Sequence, residues 1–197
     1  MAAMSEDDAG DLVRAAAGGD QAAWRGLVRR FAALVWAVTR SFGLEPSDAA
    51  DVSQVTWLRL VEHLDRLHDP DRVGAWLATT ARRECLAVLR RRGRSAIPAG
   101  DDATFERVAA DVPPPTQRLV AAERDVVLWT ALRALSERCQ RLLRVLMADP
   151  PPPYDAVSAA LEMPMGSIGP TRARCLTHLR RHLAEGGITG DALRSVE

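Results

Sequence analysis

Apolar residues recur every three or four positions through most of this chain, and this spacing predicts amphipathic helices. In the segment 20–42 the apolar stripe consists of Trp24, Leu27, Phe31, Leu34, Val35 and Val38. In the segment 48–67 it consists of Val52, Val55, Leu58, Leu60, Val61 and Leu64. A fourth helix over 71–94 has the stripe Val73, Trp76, Leu77, Ala81, Leu86 and Leu89. Alternation of apolar and polar residues, which would indicate strands, does not occur, so the predicted fold class is all-α.

Residue types that favour helix ends mark the limits of these segments. Gly18-Gly19 ends a short first helix over 8–17, and Gly43 and Gly93 follow the second and fourth helices. The predicted helix starts are Asp20 for the second helix, Ser47 for the third and Asp69-Pro70-Asp71 for the fourth. Residues 8–94 are therefore predicted to form one helical domain.

The helical pattern stops after residue 94 and resumes near residue 118. Residues 95–117 are rich in Pro, Asp and Ala without a helical period, which predicts a flexible linker with one helical turn around 105–110. Residues 118–186 are predicted to form a second helical domain, with Ser136 as a cap and 187–197 as a tail. Its last two helices, 154–161 and 167–184, are separated by a short turn and so have a helix-turn-helix outline.

The tryptophans and cysteines are predicted to be buried. The five tryptophans lie on apolar stripes and are expected to fill the cores: Trp24, Trp36, Trp57, Trp76 and Trp129. The three cysteines, Cys85, Cys139 and Cys175, are far apart and odd in number, which favours free thiols over disulfides or a zinc site. No apolar run is long enough to span a membrane and the first residues lack a signal sequence, so a soluble cytoplasmic protein is expected.

Charge is balanced over the whole chain but unevenly placed. The chain has 26 basic and 26 acidic residues, and all of the basic ones are arginine. Arginine suits bidentate contacts with phosphate and guanine, although a biased coding composition would produce the same excess. Positive charge is concentrated in the fourth helix, at Arg82, Arg83, Arg90, Arg91, Arg92 and Arg94. This helix is either a nucleic-acid-binding surface or a solvated surface helix.

The order of these segments resembles the bacterial sigma-70-type RNA polymerase sigma factors, in their small two-domain extracytoplasmic-function group. Three segments carry the resemblance: DAADVSQVTWLRL in the third helix, GAWLATTARRECLAVLRRRGR in the fourth, and ALRALSERCQRLLRVL followed by YDAVSAALEMPMGSIGPTRARCLTHLRR. The resemblance implies a sigma factor that binds the polymerase core, recognises the −35 and −10 promoter elements and melts the −10 region. It implies neither a catalytic activity nor a cofactor.

The resemblance also implies which residues make each contact. The implied partner is core polymerase, which would bind through a coiled coil of its largest subunit and through its flap. The expected contacts on the third helix are Asp48, Asp51, Gln54 and Leu58. The residues implied for the −10 element are His68, Arg72, Thr79, Thr80, Arg83, Arg90 and Arg91. Those implied for the −35 element are Ser167, Gly169, Thr171, Arg172, Arg174 and Arg180. Factors of this group are typically held by an anti-sigma protein, which is a further expected partner.

Other interpretations of these residues remain open. Asp48 and Asp51 lie in the first turn of their helix, where carboxylates stabilise the helix dipole without binding anything. A helix-turn-helix regulator that binds duplex DNA without polymerase is the alternative function, although it would not require the cationic fourth helix. An enzyme is not favoured, because His178 and His182 are one turn apart but lack a nearby carboxylate or Cys that would complete a metal site.

Overall fold

The computed structural model describes residues 8–93 and 126–185, and all regular secondary structure in these two stretches is helical. This confirms the predicted all-α fold class. The predicted linker, its helical turn around 105–110 and the predicted tail lie outside the described residues. None of the helices in the described stretches is long and apolar enough to cross a membrane.

Eight helices follow one another along the described stretches. The first four are α1 (Ala9–Ala17), α2 (Gln21–Ser41), α3 (Pro46–His63) and α4 (Val73–Arg91). Two short 3-10 turns, Leu64–Arg66 and Pro70–Arg72, connect α3 to α4. The second stretch contains α5 (described over 126–133), α6 (Glu137–Leu146), α7 (Tyr154–Leu161) and α8 (Met165–Glu185).

Several helix ends lie where the sequence predicted them. The Asp20 carboxylate accepts hydrogen bonds from the backbone N–H groups of Ala22 and Ala23, at 2.7 and 3.2 Å. These bonds satisfy two of the amide groups that the first turn of a helix leaves without partners. Gly43 and Gly93 have φ angles of 64° and 68°, a left-handed conformation that glycine adopts without strain. The predicted start of α2 and the predicted ends of α2 and α4 therefore follow from local backbone chemistry.

Three predicted helix starts are wrong. Ser47 does not cap α3, because the helix begins one residue earlier at Pro46, whose missing N–H costs nothing in the first turn. The carboxylates of Asp69-Pro70-Asp71 do not cap α4, because a 3-10 turn over Pro70–Arg72 precedes it. Helix α8 begins at Met165 and not at Ser167, whose N–H and hydroxyl both donate to the Pro164 carbonyl, at 2.9 and 2.7 Å.

Buried apolar side chains from both stretches form one continuous core. Its fully buried members include Leu27, Leu34, Leu60 and Leu77 from the first stretch, and Leu142, Val145, Val157 and Ile168 from the second. Trp24 and Trp57 form an edge-to-face pair with ring centroids 6.1 Å apart, as favoured for partly buried aromatic rings. Trp36 contradicts the sequence prediction, since 45% of its surface is exposed.

Helix α7 packs directly on α4, so the two halves are in contact in this structure. At Gly74 of α4 an added Cβ would lie 2.9 Å from Cε1 of Phe31 and 3.7 Å from the Cβ of Ala156, so glycine permits the close approach of α7. An ion pair flanks this seam at each end. Arg72 Nε lies 3.7 Å from Asp155 Oδ2, and Arg82 Nη2 lies 2.6 Å from Glu162 Oε2.

A disulfide between Cys139 and Cys175 joins α6 to α8, with the two Cα atoms 5.4 Å apart. The prediction of three free thiols is therefore wrong for these two residues. They are 36 positions apart in the sequence, and only the packing of α6 against α8 brings them together. Cys85 is a buried free thiol, as predicted, and burial raises its pKa to about 12.

Candidate nucleic-acid and protein interfaces

The outward side of α3 presents polar and apolar residues together. Asp51, Gln54, Leu58 and Val61 are exposed and follow one another at three- and four-residue steps, so they form a single stripe. Leu58 is 57% exposed and Val61 is 52% exposed. The sequence pattern had placed both on the buried stripe, whereas Val52 and Leu60 occupy the core. Exposed apolar groups beside a carboxylate and an amide are typical of a protein-binding surface.

Asp48 belongs to a different environment from Asp51 and Gln54. Its side chain is only 17% exposed, and Oδ2 lies 2.6 Å from Nη2 of Arg92 at the end of α4. The two residues line a cavity of about 210 Å³ between α3 and α4. The ion pair ties the start of α3 to the end of α4, so Asp48 has a structural role in this conformation.

The residues predicted to contact the −10 element extend along α4 and the segment before it. His68 and Arg72 are exposed, and Thr79 and Thr80 are half-buried. The Thr79 hydroxyl donates to the carbonyl oxygen of Ala75, at 2.9 Å. Arg72 and the far end of α4 are separated by about 27 Å at 1.5 Å per residue. The set therefore forms a line along the helix and not one compact pocket.

Helix α4 divides its cationic residues between two environments. Thr79, Arg83 and Arg90 share a face, and both arginines are exposed, as is Arg91. Arg82 instead faces α7, where it pairs with Glu162. The exposed face of α4 therefore keeps a row of positive charge that can meet a polyanion.

The residues predicted to contact the −35 element lie on the first three quarters of α8, between Ser167 and Arg180. Arg172, Arg174 and Arg180 are exposed, whereas Thr171 is only 7% exposed. The Thr171 hydroxyl accepts a hydrogen bond from Nη2 of Arg174, at 3.4 Å. Thr171 therefore packs inside the helix-turn-helix in this conformation and orients Arg174.

The exposed arginines of α8 do not all project in one direction. Arg172 and Arg180 are eight residues apart and share a face, but Arg174 is two residues from Arg172 and points nearly the opposite way. Gly169 is partly exposed, and the Ser167 hydroxyl is engaged by Pro164. One face of α8 thus brings Arg172 and Arg180 together without Arg174.

Neither half shows a metal centre among its described residues. No group of three or more His, Cys, Asp or Glu side chains that could bind a metal occurs within residues 8–93 and 126–185. His182 Nδ1 lies 3.2 Å from Oε2 of Glu185, one turn further along α8. This histidine contacts its own helix, and the pair His178 and His182 acquires no third ligand there.

Comparison with known proteins gives three results. Residues 27–95, which contain most of α2 and all of α3 and α4, match the family model described as Sigma-70 region 2. The chain is 28% identical over 170 residues to the ECF RNA polymerase sigma factor SigE of Mycolicibacterium smegmatis, covering 85% of this chain and 65% of that protein. The chain thus spans 65% of the length of this curated relative.

The third result concerns the arrangement of the helices. The solved structure of CnrH in complex with the cytosolic domain of CnrY is similar to this chain with a TM-score of 0.55 and 24% sequence identity. The match covers 91% of this chain and 99% of that one. At this identity the likeness supports the fold, and it includes the second helical half, which lies outside the region 2 match.

Proposed function

We propose that this chain, which belongs to the extracytoplasmic-function group of the sigma-70 family, binds the polymerase core and directs transcription initiation. The observation that carries the proposal is the exposed stripe of Asp51, Gln54, Leu58 and Val61 within the region 2 match. The four residues are exposed, and none of them belongs to the buried core. The proposal is also supported by the cationic face of α4, which follows α3 within the same matched segment.

Each helix has a separate task in this proposal. The exposed stripe of α3 docks on a coiled coil of the largest core subunit, while the second half contacts the flap. Helix α4 melts the −10 element and holds its unpaired strand, because an exposed row of arginines can follow a single-stranded backbone. Helix α8 recognises the −35 element as duplex, with Arg172 and Arg180 towards the major groove. No catalytic step and no cofactor are proposed.

A protein partner that masks these surfaces is part of the proposal. CnrH, to which this chain is similar in fold, was solved in complex with the cytosolic domain of CnrY. By analogy, an anti-sigma protein would bind this chain in the cytoplasm and compete with the polymerase core. The exposed apolar pair Leu58 and Val61 is the surface at which such competition would be measured.

Co-elution with sigma-free bacterial core polymerase, followed by run-off transcription from genomic fragments, tests the proposal. We expect Gln54→Ala to weaken core binding and to reduce the transcripts, because it removes an exposed polar contact. Gln21→Ala is the matched control, since Gln21 is also exposed but lies at the start of α2. Absence of core binding by the unmodified chain, with binding to a palindromic duplex instead, would favour the helix-turn-helix regulator.

A further inference from the structure

Helix α2 has an exposed face that neither the core nor the proposed function uses. Residues 21–44 contain four arginines and no Asp or Glu. Arg25, Arg29, Trp36 and Arg40 follow at steps of four, seven and four residues, which places them within an arc of about 60° at 100° per residue. They form one line about 22 Å long at 1.5 Å per residue. We refer to these four residues as the arginine stripe.

The side chains of the arginine stripe are accessible. Arg25 and Arg29 are exposed, and within residues 8–93 and 126–185 neither forms an ion pair. Arg14 on the neighbouring helix differs in this respect, because its Nη2 lies 2.6 Å from Oδ1 of Asp11. The 45% exposure of Trp36 leaves part of a large apolar ring in water. An exposed aromatic ring of this kind is typical of a surface that binds a partner.

The far end of the stripe is organised and strongly positive. The Arg40 guanidinium lies 5.9 Å from the centroid of the Trp36 ring, a cation–π contact that orients it. The carbonyl oxygen of Arg40 accepts a hydrogen bond from Nη1 of Arg144 on α6, at 3.2 Å. Burial lowers the pKa of Arg144, and the charges of Arg40 and Arg133 lower it further. Arg40 and Arg144 therefore lie close together, and an anion bound between them would relieve the repulsion of their charges.

We propose that the arginine stripe binds the sugar–phosphate backbone of DNA, as a contact separate from those of α4 and α8. Regularly spaced guanidinium groups match a linear polyanion, because arginine binds phosphate oxygens in a bidentate manner. Trp36 acts as a positioning residue that holds Arg40 towards the phosphates. This inference rests on the proposed function only in the choice of DNA as the polyanion. The alternative ligand of the arginine stripe is an acidic segment of a protein.

Fluorescence anisotropy with a labelled random-sequence duplex, titrated at several salt concentrations, tests this proposal with the full chain and without polymerase. Each phosphate contact contributes about 0.9 to the slope of log K against log salt. Arg25→Gln with Arg29→Gln should therefore reduce this slope by about 2 and weaken binding at low salt. Trp36→Leu removes no charge but releases Arg40, so it should weaken binding and reduce the slope by no more than about 1, the contribution of one phosphate contact.

A matched double variant separates the stripe from total charge. Arg14→Gln with Arg138→Gln removes the same two charges from exposed positions on α1 and α6. The proposal requires this control to keep the slope of the unmodified chain. An equal loss of slope in both double variants would overturn it, and so would competition by polyglutamate as effective as by unlabelled DNA. Because the assay lacks polymerase, its result is independent of whether Gln54→Ala affects core binding.

Discussion

Breaking the Cys139–Cys175 disulfide is expected to lower the free energy of unfolding by about 4 kcal/mol. The bond joins residues separated by 36 positions, so it closes a loop that includes most of α6, all of α7 and the first half of α8. In the chain-entropy description, a loop of this length lies between the short loops worth about 3 kcal/mol and the long ones worth nearly 5 kcal/mol. The bond acts mainly by restricting the unfolded chain.

Urea denaturation followed by far-ultraviolet circular dichroism measures this effect. With a urea dependence of about 2 kcal/mol per molar, the loss corresponds to a decrease of roughly 2 M in the unfolding midpoint. Cys139→Ala should give the same decrease without reductant as the unmodified chain gives with it. Cys85→Ala is the control, because this buried thiol is outside the bond and should leave the effect of the reductant unchanged.

Two results would refute this reasoning. One is a count of three free thiols in a chain that is kept without reductant and then denatured. The structure predicts one free thiol under these conditions, that of Cys85. The other is a pair of equal midpoints for oxidised and reduced chains whose redox states have been verified by mass spectrometry. Equal midpoints would mean that the bond does not further restrict the unfolded chain, because residual structure already holds the residues between Cys139 and Cys175 together there.

Two further predictions concern α4. Gly74→Ala should lower the free energy of unfolding by about 1–3 kcal/mol in thermal melts, because the added Cβ would press on Phe31. Gly169→Ala is the control and should raise the free energy of unfolding, because the helix has open space at that position. Equal effects of the two substitutions would contradict the packing at Gly74. Because burial raises the pKa of Cys85 to about 12 from 9.0, its stabilising contribution is complete below about pH 9 and is lost as pH rises towards 12. Native Cys85 should accordingly resist iodoacetamide at pH 9, and rapid alkylation of the folded chain would contradict its burial.

Periodicity and helix-end chemistry were sufficient to predict the fold class and most of the helices. The Asp20 cap and the glycines at 43 and 93 act through the backbone of their own neighbours, so their roles are visible in a local segment. Ser47 failed as a cap because Pro46 is an even better first residue of a helix, and both signals lie in the same short stretch. Local competition of this kind limits predicted boundaries to within a few residues.

Features that depend on distant contacts could not be predicted in this way. Apolar residues lie on more than one side of α3, and only the packing of its neighbours decides that Leu60 is buried while Leu58 is exposed. The exposure of Trp36 and the pairing of Cys139 with Cys175 likewise depend on which helices approach. The positions implied for DNA and polymerase contact came from the resemblance, and their roles stay predictions. The structure adds that Asp48 and Thr171 are engaged within the fold.

Under the proposed function, the seam between α4 and α7 imposes a geometric condition on the binding of both promoter elements. Elements centred near −35 and −10 are about 25 base pairs apart, or roughly 85 Å along a duplex at 3.4 Å per base pair. A packed body of the described size has a radius of gyration of only about 15 Å. If α4 and α8 occupy both elements at once, α7 must leave Gly74 and its two flanking ion pairs must break. The free energy of that separation is subtracted from promoter affinity, so substitutions at the seam would tune transcription without touching DNA.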